Sequence, residues 1–275
     1  MPTSPPAEEV DPSAFPLPAH DDEETKHDRG TVVVLGGSRS TPGAVLLAGL
    51  AALRAGAGRL RLVTDASVVP ALGVAVPEAL VSDDAVRAAA AAQAVLVGPG
   101  LLEEDLAAAW LDAAVDAVAE EGVLVVDAGA LPAAAARAEA LRALGGRVLL
   151  TPNTDELSSA LGCDDLASLP RVADALGAVV AVRGPSTYVA VPGEGRCLVE
   201  RSGTVGLATS GSGDVASGIA AGLAARGAPP VTAAVWAAAL HGRAGERLSS
   251  SVGPVSFLAR ELLDEIPRAL ADLTG

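Results

Sequence analysis

Short apolar runs recur along this chain, and four of them end in turns rich in glycine or small polar residues. These turns are residues 36–38 (GGS), 98–100 (GPG), 127–129 (DAG) and 151–153 (TPN). Segments with helical character separate the runs, and nearly continuous apolar runs are typical of parallel strands buried on both faces. Because ligands bind beyond the carboxyl ends of such strands, the sequence predicts an α/β fold with a mainly parallel central sheet and a site on the rim formed by these turns.

The same patterns divide the chain into an N-terminal arm and one domain. Residues 1–26 contain six prolines and a run of four acids, which predicts an extended or loosely attached arm that lies along the domain or a neighbouring subunit. Residues 27–275 show neither a repeat nor a linker and are predicted to form a single domain. Strands are expected over residues 31–35, 59–63, 77–81, 94–97, 123–126, 147–150, 178–182, 188–191 and 196–200. Helices are expected over 42–55, 103–119, 219–225, 231–248 and 255–273, with one more between 129 and 147.

The segment 209–218 (TSGSGDVASG) carries the strongest chemical signal. Gly211 and Gly213 predict a flexible loop that enters the first turn of a helix, where unpaired N–H groups and the helix dipole favour an anion. Asp214 would lie beside a bound phosphate and accept a proton from an attacking hydroxyl group, as a general base. The alternative is structural: the glycines serve a turn and Asp214 caps the helix.

Charge and cysteine content argue against several classes of function. The net charge is −15, which disfavours nucleic acids and anionic membranes as partners. No apolar run approaches the roughly 18 residues of a membrane span, and the N-terminus lacks the pattern of an export signal. Cys163 and Cys197 have no metal-binding spacing, and we expect them to be reduced thiols in the cytoplasm.

Several other residues are interpreted structurally. Gly218 and Gly222 lie four residues apart in the helix that follows the glycine loop, and we expect them to permit close packing of that helix on the sheet. His241 lies in an apolar helix, so a packing role is favoured over a ligand-binding role. His20 falls in the arm, and His27 lies at the start of the domain, where a structural role is expected.

Taken in order, the motifs resemble those of the ADP- or ATP-dependent NAD(P)H-hydrate dehydratases of the ribokinase-like superfamily. The resemblance covers about residues 27–270 and is carried by residues 27–38 (HDRGTVVVLGGS), 42–44 (PGA), 52–58 (ALRAGAG), 97–101 (VGPGL), 126–131 (VDAGAL), 151–153 (TPN) with 156–157 (EL), and 208–214 (ATSGSGD). The glycine–acid loop alone would indicate only the superfamily, whereas the combination is far more specific. The resemblance implies a ribokinase-like three-layer α/β/α sandwich.

The resemblance also implies a repair reaction. A lyase of this family restores NAD(P)H from the S form of its hydrate: the added hydroxyl group is phosphorylated by ADP or ATP and then leaves as phosphate, a far better leaving group than hydroxide. The implied ligands are therefore the hydrate and an adenine nucleotide, accompanied by Mg²⁺. The implied assembly is a homo-oligomer, with a tetramer favoured.

The family's functional positions map onto residues of this chain. Asp214 is the expected base, and the backbone N–H groups of Gly211, Ser212 and Gly213 form the expected anion hole. The nucleotide-binding residues are Arg183, Gly184, Pro185, Ser186, Thr187 and Gly213. The residues expected to contact the hydrate are Ala44, Gly100, Asn153 and Asp214. Metal ligands are not identified; Asp155 and Glu156 are acids that would suit the neighbourhood of an ion, and a solvated helix start explains them equally.

Two residues depart from the family pattern. The family usually has His at the position of Asn153 and Lys at the position of Arg183. Asn does not titrate near neutral pH, and Arg keeps the charge of Lys but not its geometry. Two alternatives therefore stay open: a ribokinase-like kinase of a small alcohol such as a vitamin precursor, and a nucleotide-binding relative with weakened catalysis.

Overall fold

The central sheet organises the whole structure, a computed structural model that describes residues 7–19, 23 and 25–275. Its strands are β1 (Ala7–Glu9), β2 (Thr31–Leu35), β3 (Arg59–Val63), β4 (Ala79–Ser82), β5 (Ala94–Val97), β6 (Val123–Val126), β7 (Val148–Leu150), β8 (Val179–Val182), β9 (Thr187–Ala190) and β10 (Cys197–Glu200). They form one sheet in the order β1-β10-β9-β8-β7-β6-β5-β2-β3-β4. Only β9 runs antiparallel to its neighbours, which confirms the mainly parallel sheet.

Helices cover both faces of the sheet. They are α1 (Pro42–Arg54), α2 (Val69–Ala75), α3 (Ala85–Ala89), α4 (Glu104–Ala117), α5 (Leu131–Ala135), α6 (Ala138–Ala143), α7 (Thr154–Leu161), α8 (Leu169–Leu176), α9 (Ser212–Ala225), α10 (Pro230–Ser251) and α11 (Ala259–Thr274). One apolar core joins the sheet to α1, α2, α9, α10 and α11, and a second core joins the opposite face to α3–α8. The predicted three-layer α/β/α sandwich is therefore confirmed.

The described part of the arm lies along the domain, one of the two placements that the sequence leaves open. β1 pairs in parallel with the edge strand β10. Further along the arm, the carbonyl oxygen of Phe15 accepts a hydrogen bond of 2.6 Å from Trp236 Nε1 on α10. The boundary between arm and domain at residue 26 stays a prediction, and His20 lies outside the described residues.

Gly218 and Gly222 on α9 pack against a helix. The expectation that they pack against the sheet is therefore corrected. A Cβ on Gly218 would lie 2.2 Å from the carbonyl oxygen of Ala48, and one on Gly222 would lie 2.4 Å from that of Ala52. Both alanines belong to α1, so the absence of side chains lets the backbones of α1 and α9 approach closely. This packing fixes the start of α9 beside the start of α1.

Candidate active site

The carboxyl ends of β6, β7 and β8 meet on the predicted rim. Asp127 follows β6 and accepts a hydrogen bond of 2.9 Å from Thr151 Oγ1, which follows β7. Arg183 follows β8, and its N–H donates to the carbonyl oxygen of Pro152 at 2.9 Å. Because these strands are parallel neighbours, their ends present charged and polar side chains to one side of the sheet.

The first turn of α9 leaves several backbone N–H groups open at this rim. Gly211 is the residue before the helix, with φ of 86°, and as a glycine it has no side chain with which to cap the turn. Within the described residues, no acceptor is found for the N–H groups of Gly211, Gly213 and Asp214, whereas Ser212 N–H donates to Thr209 O at 3.2 Å. Of the three N–H groups predicted to form the anion hole, those of Gly211 and Gly213 are therefore free to bind an anion, whereas that of Ser212 is already hydrogen-bonded. The N–H group of Asp214 is an additional free donor.

Arg183 joins the rim to the open turn. Its Nη1 donates to the carbonyl oxygen of Gly213 at 2.7 Å, and its Nη2 donates to Asp127 Oδ1 at 2.9 Å. Nη2 also lies 3.9 Å from Glu156 Oε2. A Cβ on Gly213 would lie 2.7 Å from Nη1, so any other residue here would force the guanidinium to move.

The remaining predicted nucleotide-binding residues form the turn between β8 and β9. Gly184 and Pro185 are exposed, and Ser186 and Thr187 are half-buried. Through Arg183 this turn lies next to Gly213, so the structure brings the two predicted nucleotide-binding segments together.

Asp214 has the electrostatic environment of a general base. Burial raises its pKa to about 7, the charges of Asp127 and Glu156 add to the effect, and the guanidinium of Arg183 opposes it. A carboxyl group with a pKa near the working pH can both accept and release a proton. Asp214 can therefore remove a proton from a hydroxyl group at the start of α9.

Asn153 has a structural role at the start of α7. Its Oδ1 accepts a hydrogen bond of 2.9 Å from Glu156 N–H, and Glu156 Oε2 accepts one of 2.8 Å from Asn153 N–H. This capping box uses the amide oxygen of Asn153, and the amide NH₂ group remains as a donor for a ligand. Burial raises the pKa of Glu156, as does the charge of Asp127.

Ala44 and Gly100, the other predicted hydrate contacts, lie side by side at the start of α1. A Cβ on Gly100, which has φ of 67°, would lie 2.7 Å from the Cβ of Ala44. Thr41 Oγ1 donates to the carbonyl oxygen of Gly100 at 2.6 Å and ties the two turns together. α1 also reaches the glycine loop, since a Cβ on Gly211 would lie 2.7 Å from Leu47 Cδ1.

Asp127 and His241 also belong to this region, although neither was predicted as a site residue. Asp127, only 1% exposed, pairs with Arg183. His241 Nε2 lies 2.8 Å from Ser212 Oγ, so the histidine is packed in its helix with a hydrogen-bond partner, as expected from the sequence, and the partner belongs to the glycine loop. The position of Asp127 at a strand end could have indicated a site residue from the sequence. The apolar helix around His241 contains no such indication.

Comparisons with known proteins show to which family this chain belongs. The profile of the NAD(P)H-hydrate dehydratase family matches residues 32–268. A relative from Xanthomonas campestris pv. campestris, named ADP-dependent (S)-NAD(P)H-hydrate dehydratase, is 42% identical over 94% of this chain and 93% of its own.

Solved structures agree with that assignment. An ADP/ATP-dependent NAD(P)H-hydrate dehydratase from Bacillus subtilis, co-crystallized with ATP/Mg²⁺, has 30% identity and a TM-score of 0.78, with 94% of both chains covered. A ribokinase-like superfamily protein from Enterococcus faecalis has 22% identity and a TM-score of 0.79, with 94% of this chain and 92% of its own covered, a likeness of fold alone. The fold is ribokinase-like, and the chain belongs to the NAD(P)H-hydrate dehydratase family.

Proposed function

We propose that this protein is a lyase that restores NAD(P)H from the S form of its hydrate at the expense of an adenine nucleotide. The observation that carries the proposal is the first turn of α9, which contains both Asp214 and N–H groups that are open to an anion. Membership of the family supplies the substrate class. The name of the Xanthomonas relative favours ADP as the phosphoryl donor.

The chemistry runs in two stages. Asp214 accepts the proton of the hydrate hydroxyl group while that oxygen attacks the terminal phosphorus of the nucleotide, and the bond from this phosphorus to the bridging oxygen breaks. The C–O bond of the phosphorylated hydrate then breaks with release of inorganic phosphate, and a neighbouring carbon loses a proton, which restores the double bond. Phosphoryl transfer requires mainly alignment and charge stabilisation, which the rim supplies.

Stabilisation of the transferred phosphoryl group is assigned to the first turn of α9. The N–H groups of Gly211, Gly213 and Asp214 would donate to its oxygens, and the helix dipole favours the negative charge. Arg183 supports this turn from the other side by holding the carbonyl oxygen of Gly213. The turn at residues 183–187 would contact the rest of the nucleotide, and Ala44, Gly100 and the amide group of Asn153 would contact the hydrate.

The donor set at the rim fits Mg²⁺ carried by the nucleotide. Within the part of the chain that the structure describes, no three His, Cys, Asp or Glu side chains form a group able to hold a metal ion. Mg²⁺ does not require one, because it is usually held by one or two carboxylates together with phosphate oxygens and water. We assign Glu156, whose side chain is 28% exposed, as the carboxylate facing the ion. When bound, the ion would neutralise phosphate charge during the transfer.

Recovery of the dihydronicotinamide absorbance tests the proposal directly. Purified protein is mixed with NADH hydrate, Mg²⁺ and either ADP or ATP, and a nucleotide-dependent rise in absorbance is the expected result. The Asp214→Asn variant is the matched control and should bind the nucleotide without producing the rise. A stable phosphorylated product and no rise would overturn the dehydratase and favour the small-alcohol kinase; binding without any turnover would favour the catalytically weakened relative.

Assembly and location complete the proposal. A homo-tetramer is supported by the exposed edge strand β4, where Leu80 is 66% exposed and the neighbouring Val74 and Val86 of α2 and α3 are 84% and 65% exposed. Analytical ultracentrifugation of the full chain tests it.

A cytoplasmic location is supported by Cys163 and Cys197, which are free and buried. Among the helices that the structure describes, none has the length and apolar character that crossing a membrane requires.

A further inference from the structure

A hydrogen bond between α9 and α10 is not used by the mechanism above. Ser212 is the first residue of α9 and is 3% exposed, and its Oγ lies 2.8 Å from Nε2 of His241 on α10. His241 also lines a small cavity between β8, α9 and α10, together with Arg183 and Thr187. The two helices are therefore joined by a polar contact at the end of α9 that faces the proposed nucleotide site.

This bond is maintained across the working pH range. Burial, together with the charge of Arg183, lowers the pKa of His241 to about 3, so the ring is neutral. A hydroxyl group can donate or accept, so the bond forms with either neutral tautomer of the imidazole. The contact therefore does not depend on a titration of the histidine.

The first turn of α9 needs such a contact because it lacks the usual one. A side-chain cap orders most helix starts, but it does so by occupying the N–H groups that an anion would bind. Here Gly211 provides no cap. The turn is held instead through groups that an anion does not need: the Ser212 hydroxyl group, bound by His241, and the Gly213 carbonyl oxygen, bound by Arg183.

We propose that His241 is a positioning residue, whose hydrogen bond to Ser212 holds the first turn of α9 with its N–H groups free for the phosphate of the nucleotide. The inference rests on the proposed function for the identity of the ligand. It assigns His241 no contact with substrate and no proton transfer.

The test measures the dissociation constant of ADP with Mg²⁺ by isothermal titration calorimetry for Ser212→Ala, His241→Leu and the double variant. Loss of one net hydrogen bond corresponds to a weakening of about tenfold at most. We expect each single variant to bind ADP about fivefold to tenfold more weakly and the double variant to be no weaker than the worse single one. His241→Gln, whose amide reaches the position of Nε2, should recover most of the affinity.

The matched control is Trp236→Phe, which removes a hydrogen bond of 2.6 Å from the same helix at the contact with the arm. It should lower the melting temperature without changing the ADP affinity. Additive losses in the double variant, or an unchanged ADP affinity in Ser212→Ala, would overturn the inference. If His241→Leu does not fold, the ADP affinities of Ser212→Ala and His241→Gln still test the inference. Wild-type protein that binds ADP but does not restore NADH refutes the proposed function only, because the binding series stands without turnover.

Discussion

The starts of α7 and α9 lie on either side of Arg183, and they treat their first-turn N–H groups in opposite ways. At α7, Asn153 and Glu156 exchange side-chain and backbone hydrogen bonds of 2.9 and 2.8 Å and close the turn. At α9, Gly211 contributes no side chain and the turn stays open. Both helices carry a positive dipole end toward the same rim, so the dipole alone does not decide which one receives an anion.

The difference shows that the capping residue, and not the presence of a helix start, decides whether first-turn N–H groups are occupied or open. A capped turn is ordered by its own side chains and has fewer donors to offer. An open turn must be ordered from elsewhere, and at α9 the side chains of Arg183 and His241 do this from neighbouring elements.

The largest effect is expected for Asp214→Asn in the open turn. Removal of a general base typically lowers kcat by about 10²–10⁴-fold, and we expect a loss of about 10³-fold in NADH recovery. ADP affinity should stay the same or increase slightly, because a negative charge beside the phosphate is lost. Steady-state kinetics and calorimetry separate the two quantities, and an unchanged kcat would remove Asp214 from the mechanism.

Gly213→Ala should weaken nucleotide binding. Its Cβ would lie 2.7 Å from Nη1 of Arg183, so the guanidinium has to leave the carbonyl oxygen that it now holds. Loss of a charged hydrogen bond, about 1.5–3 kcal/mol, corresponds to ADP binding that is weaker by roughly tenfold to a hundredfold.

The control for that variant is Gly73→Ala in α2, where an added Cβ meets no atom within 4 Å. It should leave ADP affinity unchanged and stabilise the helix slightly. Equal ADP affinities for Gly213→Ala and Gly73→Ala would show that the approach of Arg183 to the open turn is unimportant.

The pH dependence of kcat/KM reports the environment of Asp214. The base acts when deprotonated and its pKa is raised to about 7, so kcat/KM should rise about tenfold per pH unit below 7 and level off above it. Asp127→Asn removes a negative neighbour and should move this acidic limb to lower pH. A wild-type limb near the ordinary pKa of an aspartate would contradict the assigned environment.

The sequence predicted the rim and the open turn because both are local features. A strand end is marked by the glycine or polar residue that follows it, and residues 211–214 combine permissive backbone with an acid in one short segment. The contacts between Arg183 and Asp127 and between His241 and Ser212 join residues 56 and 29 positions apart. Such pairs depend on how helices and strands pack, which one sequence does not specify.

The cap at α7 was readable and was interpreted differently. Asn153 followed three positions later by Glu156 is a sequence signature of a capping box, but the resemblance to the family directed attention to Asn153 as a contact for the hydrate. The short helices α2, α3 and α8 were not predicted, and of α7 only a helix start at Asp155 and Glu156 was considered, because few turns give little periodicity. The two roles of Asn153 use different atoms of its amide group, and they can be separated experimentally.

Asn153→Ala and Asn153→Ser make that separation and give the smallest expected effect. Alanine removes the capping oxygen and should lower the free energy of unfolding by about 1 kcal/mol, whereas serine keeps a capping oxygen and should cost only a few tenths of that amount. Both variants lack the amide NH₂ group, so both should raise the KM for NADH hydrate to a similar extent. Neither should improve ADP binding, because serine keeps the turn of α7 capped, and the turn that alanine opens lacks the support that Arg183 and His241 give to α9. Chemical denaturation and steady-state kinetics measure these quantities separately. If the KM for NADH hydrate is raised in Asn153→Ala but stays at the wild-type value in Asn153→Ser, Asn153 acts on the hydrate only through the cap.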